Sequence, residues 1–175
     1  MADTDDLLLR EIIDKKGKPT KTLEGCGYLI NDPRAELAYT LFFTDVDKGA
    51  PGLCFSRMHP NRIFENYGYK NNITYYWLTY VICDNGLNPT NLGILTRIIT
   101  DYITKYKNGV ILIDGIEYLI LNNEFHQVLR VIEHVNDYLM QTKAKMYIPV
   151  NPDAFDQKEF AFLTRNLEVI SNITL

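Results

Sequence analysis

The stretch that decides the fold is GVILIDGIEYLI, at residues 109–120. It holds four consecutive apolar residues, 110–113, and Asp114 follows them directly. A run that is apolar at every position, rather than at alternate ones, indicates a strand that is buried on both of its faces. Such strands are typical of parallel sheets that lie between two layers of helices.

Strand and helix patterns alternate on both sides of this run. Short apolar runs predict further strands at residues 27–30, 53–56, 73–79, 145–150 and 167–170. Between them, apolar residues recur at helical spacing, and Asn88 and either Asn122 or Asn123 are predicted to begin helices. Pro149 lies inside one strand and favours an edge position for it. The alternation predicts a three-layer α/β/α domain with a mainly parallel sheet.

The composition suits a single globular domain. The chain has 175 residues, of which 46% are hydrophobic and 23% are charged. Residues 5–15 have the pattern of a short amphipathic helix, which Gly17 and Pro19 would end. We therefore predict a helical N-terminal arm at residues 1–22 and one α/β domain at residues 23–175.

Charge, cysteines and hydropathy narrow the functional classes. The formal net charge of −4 argues against nucleic acid or an anionic membrane as a partner. The three cysteines form no C-x-x-C pair, which argues against a disulfide framework or a zinc site. No apolar run approaches the roughly 20 residues that cross a bilayer. The expected location is the cytoplasm, where thiols stay reduced.

Polar residues follow several of the predicted strands. In open α/β sheets, ligands bind outside the carboxyl ends of the strands, so these residues form a candidate ligand- or partner-binding edge. Six residues make up this candidate edge: Asp32, Arg34, Arg57, His59, Asp114 and Glu117.

Asp114 has two interpretations. In P-loop ATPases an acid at the end of an apolar strand holds Mg²⁺, but acids in this position also stabilise turns. A phosphate-binding loop needs glycines and a lysine in the pattern G-x-x-x-x-G-K-[ST]. The loop at the corresponding place reads NDPRAE, residues 31–36, in which Pro33 lacks a donor N–H and two acids would repel a polyphosphate. We predict no nucleotide cofactor, no metal and no catalytic residue. We expect Asp114 to have a structural role and to pair with Arg57 or Arg34.

Several segments together resemble a known family. They are PGLCFSRMHP at 51–60, WLT at 77–79, NPTNLGIL at 88–95 and VILIDGIEYLI at 110–120 with LNNEF after it. They resemble the archaeal family called domain of unknown function 835. The order of strand, loop, helix, glycine and strand from GYLI to KGAPGLCFSR is similar to KaiC- and RecA-type domains without the phosphate-binding loop. The resemblance implies a RecA/KaiC-like fold and a role in signalling, and it supplies no catalytic residues.

Two functional hypotheses remain open at this point. The first is a non-catalytic regulatory or signalling module, a pseudo-ATPase that binds a protein partner, including a second copy of itself as a homodimer. The alternative is a nucleotide or anion sensor, or an enzyme, that uses the strand-end edge around Asp114. The 12 tyrosines allow an aromatic interaction surface but do not locate it.

Overall fold

The computed structural model describes residues 12–14 and 22–172. Within them the strands are β1 (Ile12–Asp14), β2 (Cys26–Asn31), β3 (Gly52–Ser56), β4 (Ile73–Leu78), β5 (Gly86–Leu87), β6 (Val110–Asp114), β7 (Lys145–Val150) and β8 (Glu168–Asn172). The α-helices are α1 (Glu36–Asp47), α2 (Pro60–Tyr67), α3 (Leu92–Lys105), α4 (Ile116–Asn122), α5 (Phe125–Leu139) and α6 (Gln157–Arg165), and a 3₁₀ turn spans Pro152–Ala154. None of these helices is long and apolar enough to cross a membrane.

All eight strands form one sheet in the order β1-β8-β2-β7-β6-β3-β4-β5. The seven strands from β8 to β5 are parallel, and β1 joins β8 in the antiparallel direction. The predicted mainly parallel sheet is thereby confirmed.

Helices cover both faces of the sheet. Helices α1 and α2 pack on one face with Ile30, Cys54 and Leu112. Helices α3 to α6 pack on the other face, where the next residues along two of the same strands, Phe55 and Ile113, join the cluster. Adjacent strand residues are therefore buried on opposite faces, which explains why the strands are apolar at every position. The predicted three-layer α/β/α architecture is confirmed.

The strand order places a topological switch point between β3 and β6. The two strands are neighbours, but the chain leaves β3 into α2 on one face and leaves β6 into α4 on the other. Connections that diverge in this way open a space at the carboxyl ends of the two strands. Ser56 and Asp114, the last residues of β3 and β6, are paired in register at this switch point.

The predicted edge position of the strand containing Pro149 is wrong. Strand β7 lies between β2 and β6, near the middle of the sheet. Its pairing with β6 ends at Leu112↔Tyr147, whereas its pairing with β2 continues to Asn31↔Val150. Pro149 therefore lies beyond the end of the β6 ladder, where a missing N–H costs no sheet hydrogen bond.

The predicted helix at residues 5–15 is wrong over Ile12–Asp14, which forms β1 and pairs with β8. A strand satisfies the outer backbone groups of β8, which a helix would leave unpaired. The other residues of the predicted arm, apart from Thr22, lie outside the described residues, so the domain boundary stays a prediction.

Two predicted helix starts are also wrong. Helix α3 begins after Asn91, whose side chain accepts a hydrogen bond from the Ile94 N–H, rather than at Asn88. Residues 116–122 form α4, so Asn122 ends a helix instead of beginning one. Helix α5 begins after Glu124, which forms a reciprocal capping box with Gln127. That box satisfies orphan N–H groups at the helix start as an asparagine cap would.

Candidate functional site at the strand ends

Asp114 is the centre of a buried hydroxyl network. Its Oδ2 atom accepts hydrogen bonds from the Tyr39 hydroxyl at 2.8 Å and from the Ser56 hydroxyl at 3.1 Å. The two hydroxyl oxygens lie 2.7 Å apart, and the Met58 N–H donates to the Ser56 hydroxyl at 2.9 Å. Tyr39 comes from α1, so the network ties this helix to the ends of β3 and β6.

Burial controls the protonation of this network. It raises the pKa of Asp114, and the hydrogen bonds from Tyr39 and Ser56 lower that pKa in part. The negative charges of Glu117 and Asp32 raise it further. Burial also raises the pKa of Tyr39 far above its ordinary value, so Tyr39 stays a hydrogen-bond donor at neutral pH.

The predicted ion pair between Asp114 and an arginine is wrong for both candidates. No arginine nitrogen lies within 4 Å of the Asp114 carboxylate among the described residues. The Arg57 guanidinium donates to the carbonyl of Leu78 and stacks 4.0 Å from the centre of the Tyr118 ring. Asp114 contacts α1 on one face of the sheet, whereas Tyr118 belongs to α4 on the other. The sheet therefore separates the guanidinium from the carboxylate. The two residues are joined through their backbones, where the Arg57 amide N–H donates to the Asp114 carbonyl at 3.2 Å.

Asp32 occupies the start of α1. Its Oδ2 atom accepts a hydrogen bond from the Ala38 N–H at 3.1 Å, and the N–H groups of Leu37 and Glu36 also stabilise the carboxylate. Ala35 makes the tight turn into the helix with a φ of 60°, in the left-handed region. Burial raises the pKa of Asp32, and these amides oppose that effect. The amides that a phosphate-binding loop would offer to a ligand are here bonded to the chain's own carboxylate.

The remaining predicted residues surround this centre. Glu117 Oε1 accepts the Asn151 N–H at 2.7 Å and ties α4 to the end of β7. His59 Nδ1 accepts the Asn61 N–H at 3.2 Å and caps α2, while its ring meets Trp77 edge-on at 4.8 Å. Arg34 is exposed in the turn after β2. All six predicted residues thus lie at the carboxyl edge, and the charges of Glu117 and Asp32 raise the pKa of Asp114.

Apolar side chains are exposed beside this edge. Tyr80, Val81 and Ile82 follow β4, and Ile82 is fully exposed. The Tyr80 hydroxyl donates to Asn122 Oδ1, and the residue before Asn122 is Leu121, which is 82% exposed. We call these four exposed residues, Tyr80, Val81, Ile82 and Leu121, the tip patch. In the part of the chain that the structure describes, no three His, Cys, Asp or Glu residues are grouped as a metal site.

A family model described as protein of unknown function (DUF835) matches residues 32–167. The chain belongs to this family. The match begins at Asp32 and includes all six candidate residues, so the whole strand-end edge is part of the DUF835 domain. No curated protein matches the chain.

Among solved structures, this DUF835 chain is similar to a KaiC-like protein from the hyperthermophilic archaeon Pyrococcus horikoshii OT3. The TM-score is 0.58 at 16% sequence identity, and the alignment covers 93% of this chain and 80% of that one. At this identity the likeness concerns the fold alone. The RecA/KaiC-like fold predicted for the DUF835 chain is confirmed.

Sequence reasoning missed three features of the DUF835 site. Ser56 ends an apolar strand as Asp114 does, and this shared position is the only signal that the sequence offers. The pairing of the two residues depends on β3 and β6 being neighbours in the sheet. Tyr39 has no distinct signal, because an aromatic residue on a buried helix face has the same pattern with or without a polar partner. The tip patch lies in a loop, where residue patterns do not predict exposure.

Proposed function

We propose that this chain is a non-catalytic regulatory or signalling module, a pseudo-ATPase that acts by binding another protein. The observation that carries the proposal is the Asp32 carboxylate on the first amides of α1. Those amides and the partial positive charge of the helix start bind phosphate in nucleotide-binding proteins. In this chain a carboxylate already neutralises them, and a nucleotide phosphate would meet a like charge.

Asp114 supports the same proposal. A carboxylate that binds Mg²⁺ needs an oxygen that can face the ion and the phosphates. One of the two carboxylate oxygens of Asp114, Oδ2, accepts two hydroxyl hydrogen bonds inside the protein. With burial opposing its ionised form, Asp114 is better suited to hold β3, β6 and α1 together than to bind a cation.

The tip patch supports a protein as the partner. Exposed apolar residues that lie side by side mark interaction surfaces more often than isolated ones do. Tyr80 and Leu121 come from different segments and are joined through Asn122, so the patch is a built surface rather than one loose loop. Exposed Arg57 and His59 lie at the same edge and would supply a polar rim.

Nucleotide binding tests the proposal directly. Thermal unfolding would be followed with millimolar MgATP, MgADP or MgCl₂ alone, for the parent and for Asp114→Asn. We expect no nucleotide-dependent rise in Tm, because a ligand specific to the native state must raise it. A Tm rise with MgATP that Asp114→Asn abolishes would contradict the pseudo-ATPase proposal and favour a nucleotide sensor.

A second candidate, an anion sensor at the same edge, is favoured by Arg34. It is exposed next to Asp32, and no carboxylate lies within 4 Å of its guanidinium among the described residues. Inorganic phosphate added in the same thermal assay distinguishes this candidate. Stabilisation by phosphate that is lost in Arg34→Ala would support it, and an unchanged Tm would exclude it.

A further inference from the structure

We propose that the outer edge of β4 binds an extended segment of a partner protein, which joins the sheet as an additional strand. The site lies on the side of the sheet, away from the strand ends, and does not depend on the function proposed above. Three features carry the inference: backbone groups without a partner among the described residues, an adjoining cavity, and a cation without a partner among the same residues.

Among the described residues, no strand pairs with the first half of β4 on its outer side. Strand β5 pairs with β4 only at Trp77↔Gly86 and Leu78↔Leu87. The Trp77 N–H donates to the Asn85 carbonyl at 2.7 Å, so the odd-numbered residues of β4 point their backbone groups outward. The backbone groups of Ile73 and Tyr75 point the same way, and no backbone group of the described residues pairs with them. An added strand would satisfy them, as in other cases of strand addition.

A cavity of about 350 Å³ adjoins this edge, between β4 and α3. Its wall includes Leu53, Tyr76, Ile98 and Tyr102. Side chains of a strand alternate between the two faces of a sheet, so every second side chain of an added strand would point to the α3 side. The cavity has room there for a large apolar side chain. Any sequence can make the backbone hydrogen bonds of an added strand, so this side chain would give the binding its specificity.

Lys105 supplies the charge at the rim of the cavity. Its Nζ lies 4.9 Å from the centre of the Tyr106 ring. Asp101 also belongs to the cavity wall, but it pairs with Arg97 at 3.7 Å. No carboxylate of the described residues lies within 4 Å of Lys105. A partner strand with an acidic residue two positions from its apolar residue would present both on the α3 side. Its carboxylate would then complement Lys105.

The cavity also argues against a second copy of β4 as the occupant. In a symmetric antiparallel pairing, Ile73 of one copy would exchange backbone hydrogen bonds with Tyr75 of the other. Thr74 would then lie opposite its own copy, and its small side chain would leave the cavity unfilled. A different segment with a large apolar residue satisfies both the backbone groups and the cavity.

Selection of short random peptides displayed on phage, with the full chain as target, tests the proposal. We expect the enriched peptides to share one large apolar residue and an acidic residue two positions away. Binding of such a peptide should shift the NMR amide signals of Ile73 and Tyr75. Methylation of its alternate backbone nitrogens should abolish binding, because those N–H groups pair with β4.

Variants of the chain separate this site from non-specific adhesion. Ile98→Trp fills the cavity from a partly exposed position on α3 and should weaken binding by at least about tenfold. Lys105→Glu should weaken it by about fivefold, whereas the matched Lys107→Glu, exposed and outside the cavity wall, should not. A failure to enrich peptides, unshifted Ile73 and Tyr75 signals, or equal binding to Ile98→Trp would each overturn the proposal.

Discussion

Two tyrosines of the sheet, Tyr147 in β7 and Tyr75 in β4, differ in what their hydroxyl groups contact. The Tyr147 hydroxyl donates to Asp45 Oδ2 at 2.6 Å, beside the Lys145–Asp45 ion pair at 3.1 Å. The Tyr75 hydroxyl is shielded from solvent and has no hydrogen-bond partner among the described residues. Burying a polar group without a partner costs free energy, so the two hydroxyls have opposite effects on stability.

Replacement of each tyrosine by phenylalanine tests this difference. Tyr147→Phe should lower the free energy of unfolding by about 1–2 kcal/mol, because Asp45 loses a charge-assisted hydrogen bond. Tyr75→Phe should leave it unchanged or raise it by up to about 1 kcal/mol. Urea unfolding of the parent and both variants measures the change, and equal destabilisation by both would contradict the assignment.

The raised pKa of Asp114 predicts a specific pH dependence. A folded chain with a raised acid pKa binds that proton more tightly than the unfolded chain does, so the ionised group lowers stability. The penalty is present at neutral pH and is relieved as the pH falls from the raised pKa toward 3.8, the ordinary value. Asp114→Asn keeps an acceptor oxygen but carries no charge.

We compare the free energy of unfolding of the parent with that of Asp114→Asn. The difference, parent minus variant, should rise as the pH falls from the raised pKa of Asp114 toward 3.8, and should become constant at lower pH. Urea unfolding at a series of pH values measures the difference. The exposed Asp84→Asn serves as the matched control for the loss of one carboxylate. A difference that falls with decreasing pH would contradict the raised pKa.

At this scale the sequence identifies the acid but not its partners. Asp114 is recognisable because it ends an apolar run, and Asp32 because it follows another. Whether Asp114 contacts Tyr39 and Ser56 or Arg57 depends on the face of the sheet on which each side chain lies. That arrangement follows from the strand order, which local patterns do not contain.

At the scale of elements, the first turn of α1 depends on Asp32. Asp32→Ala should lower the free energy of unfolding by about 1–2 kcal/mol, the usual cost of losing a side chain that caps a helix. Glu36→Ala removes an exposed acid from the same turn and should cost much less. Chemical denaturation of both variants provides the measurement, and similar losses would mean that Asp32 does not cap α1.

Element types are more predictable than their ends. The buried strands are recognisable because burial on both faces demands apolar residues at every position. The exact starts of α3 and α5 cannot be recognised from the sequence, because Asn88, Asn91 and Asn123 all have the chemistry of a helix cap. The position of β7 was mispredicted because Pro149 is acceptable in a central strand once the neighbouring ladder has ended.

At the scale of the whole molecule, the tip patch predicts association with a protein partner, and a second copy of the chain is the partner that can be tested without identifying another protein. We expect the parent to form a dimer in sedimentation equilibrium and Ile82→Glu to raise the dimer Kd by at least about tenfold, because a charge would enter the centre of an apolar contact. Met140→Glu is the matched control, at an exposed apolar residue that follows α5 rather than the strand ends. A monomeric parent, or equal effects of both variants, would contradict dimerisation through the tip patch.

The turn between β2 and α1 limits how this fold could bind a phosphate ligand. The Asp32 carboxylate is joined to the α1 amides by only a few residues, so its effective concentration there is on the order of millimolar or higher. A free phosphate must compete against that tethered group, whatever other contacts are added around it. Introducing a lysine into this turn would therefore not create phosphate binding unless Asp32 were also replaced.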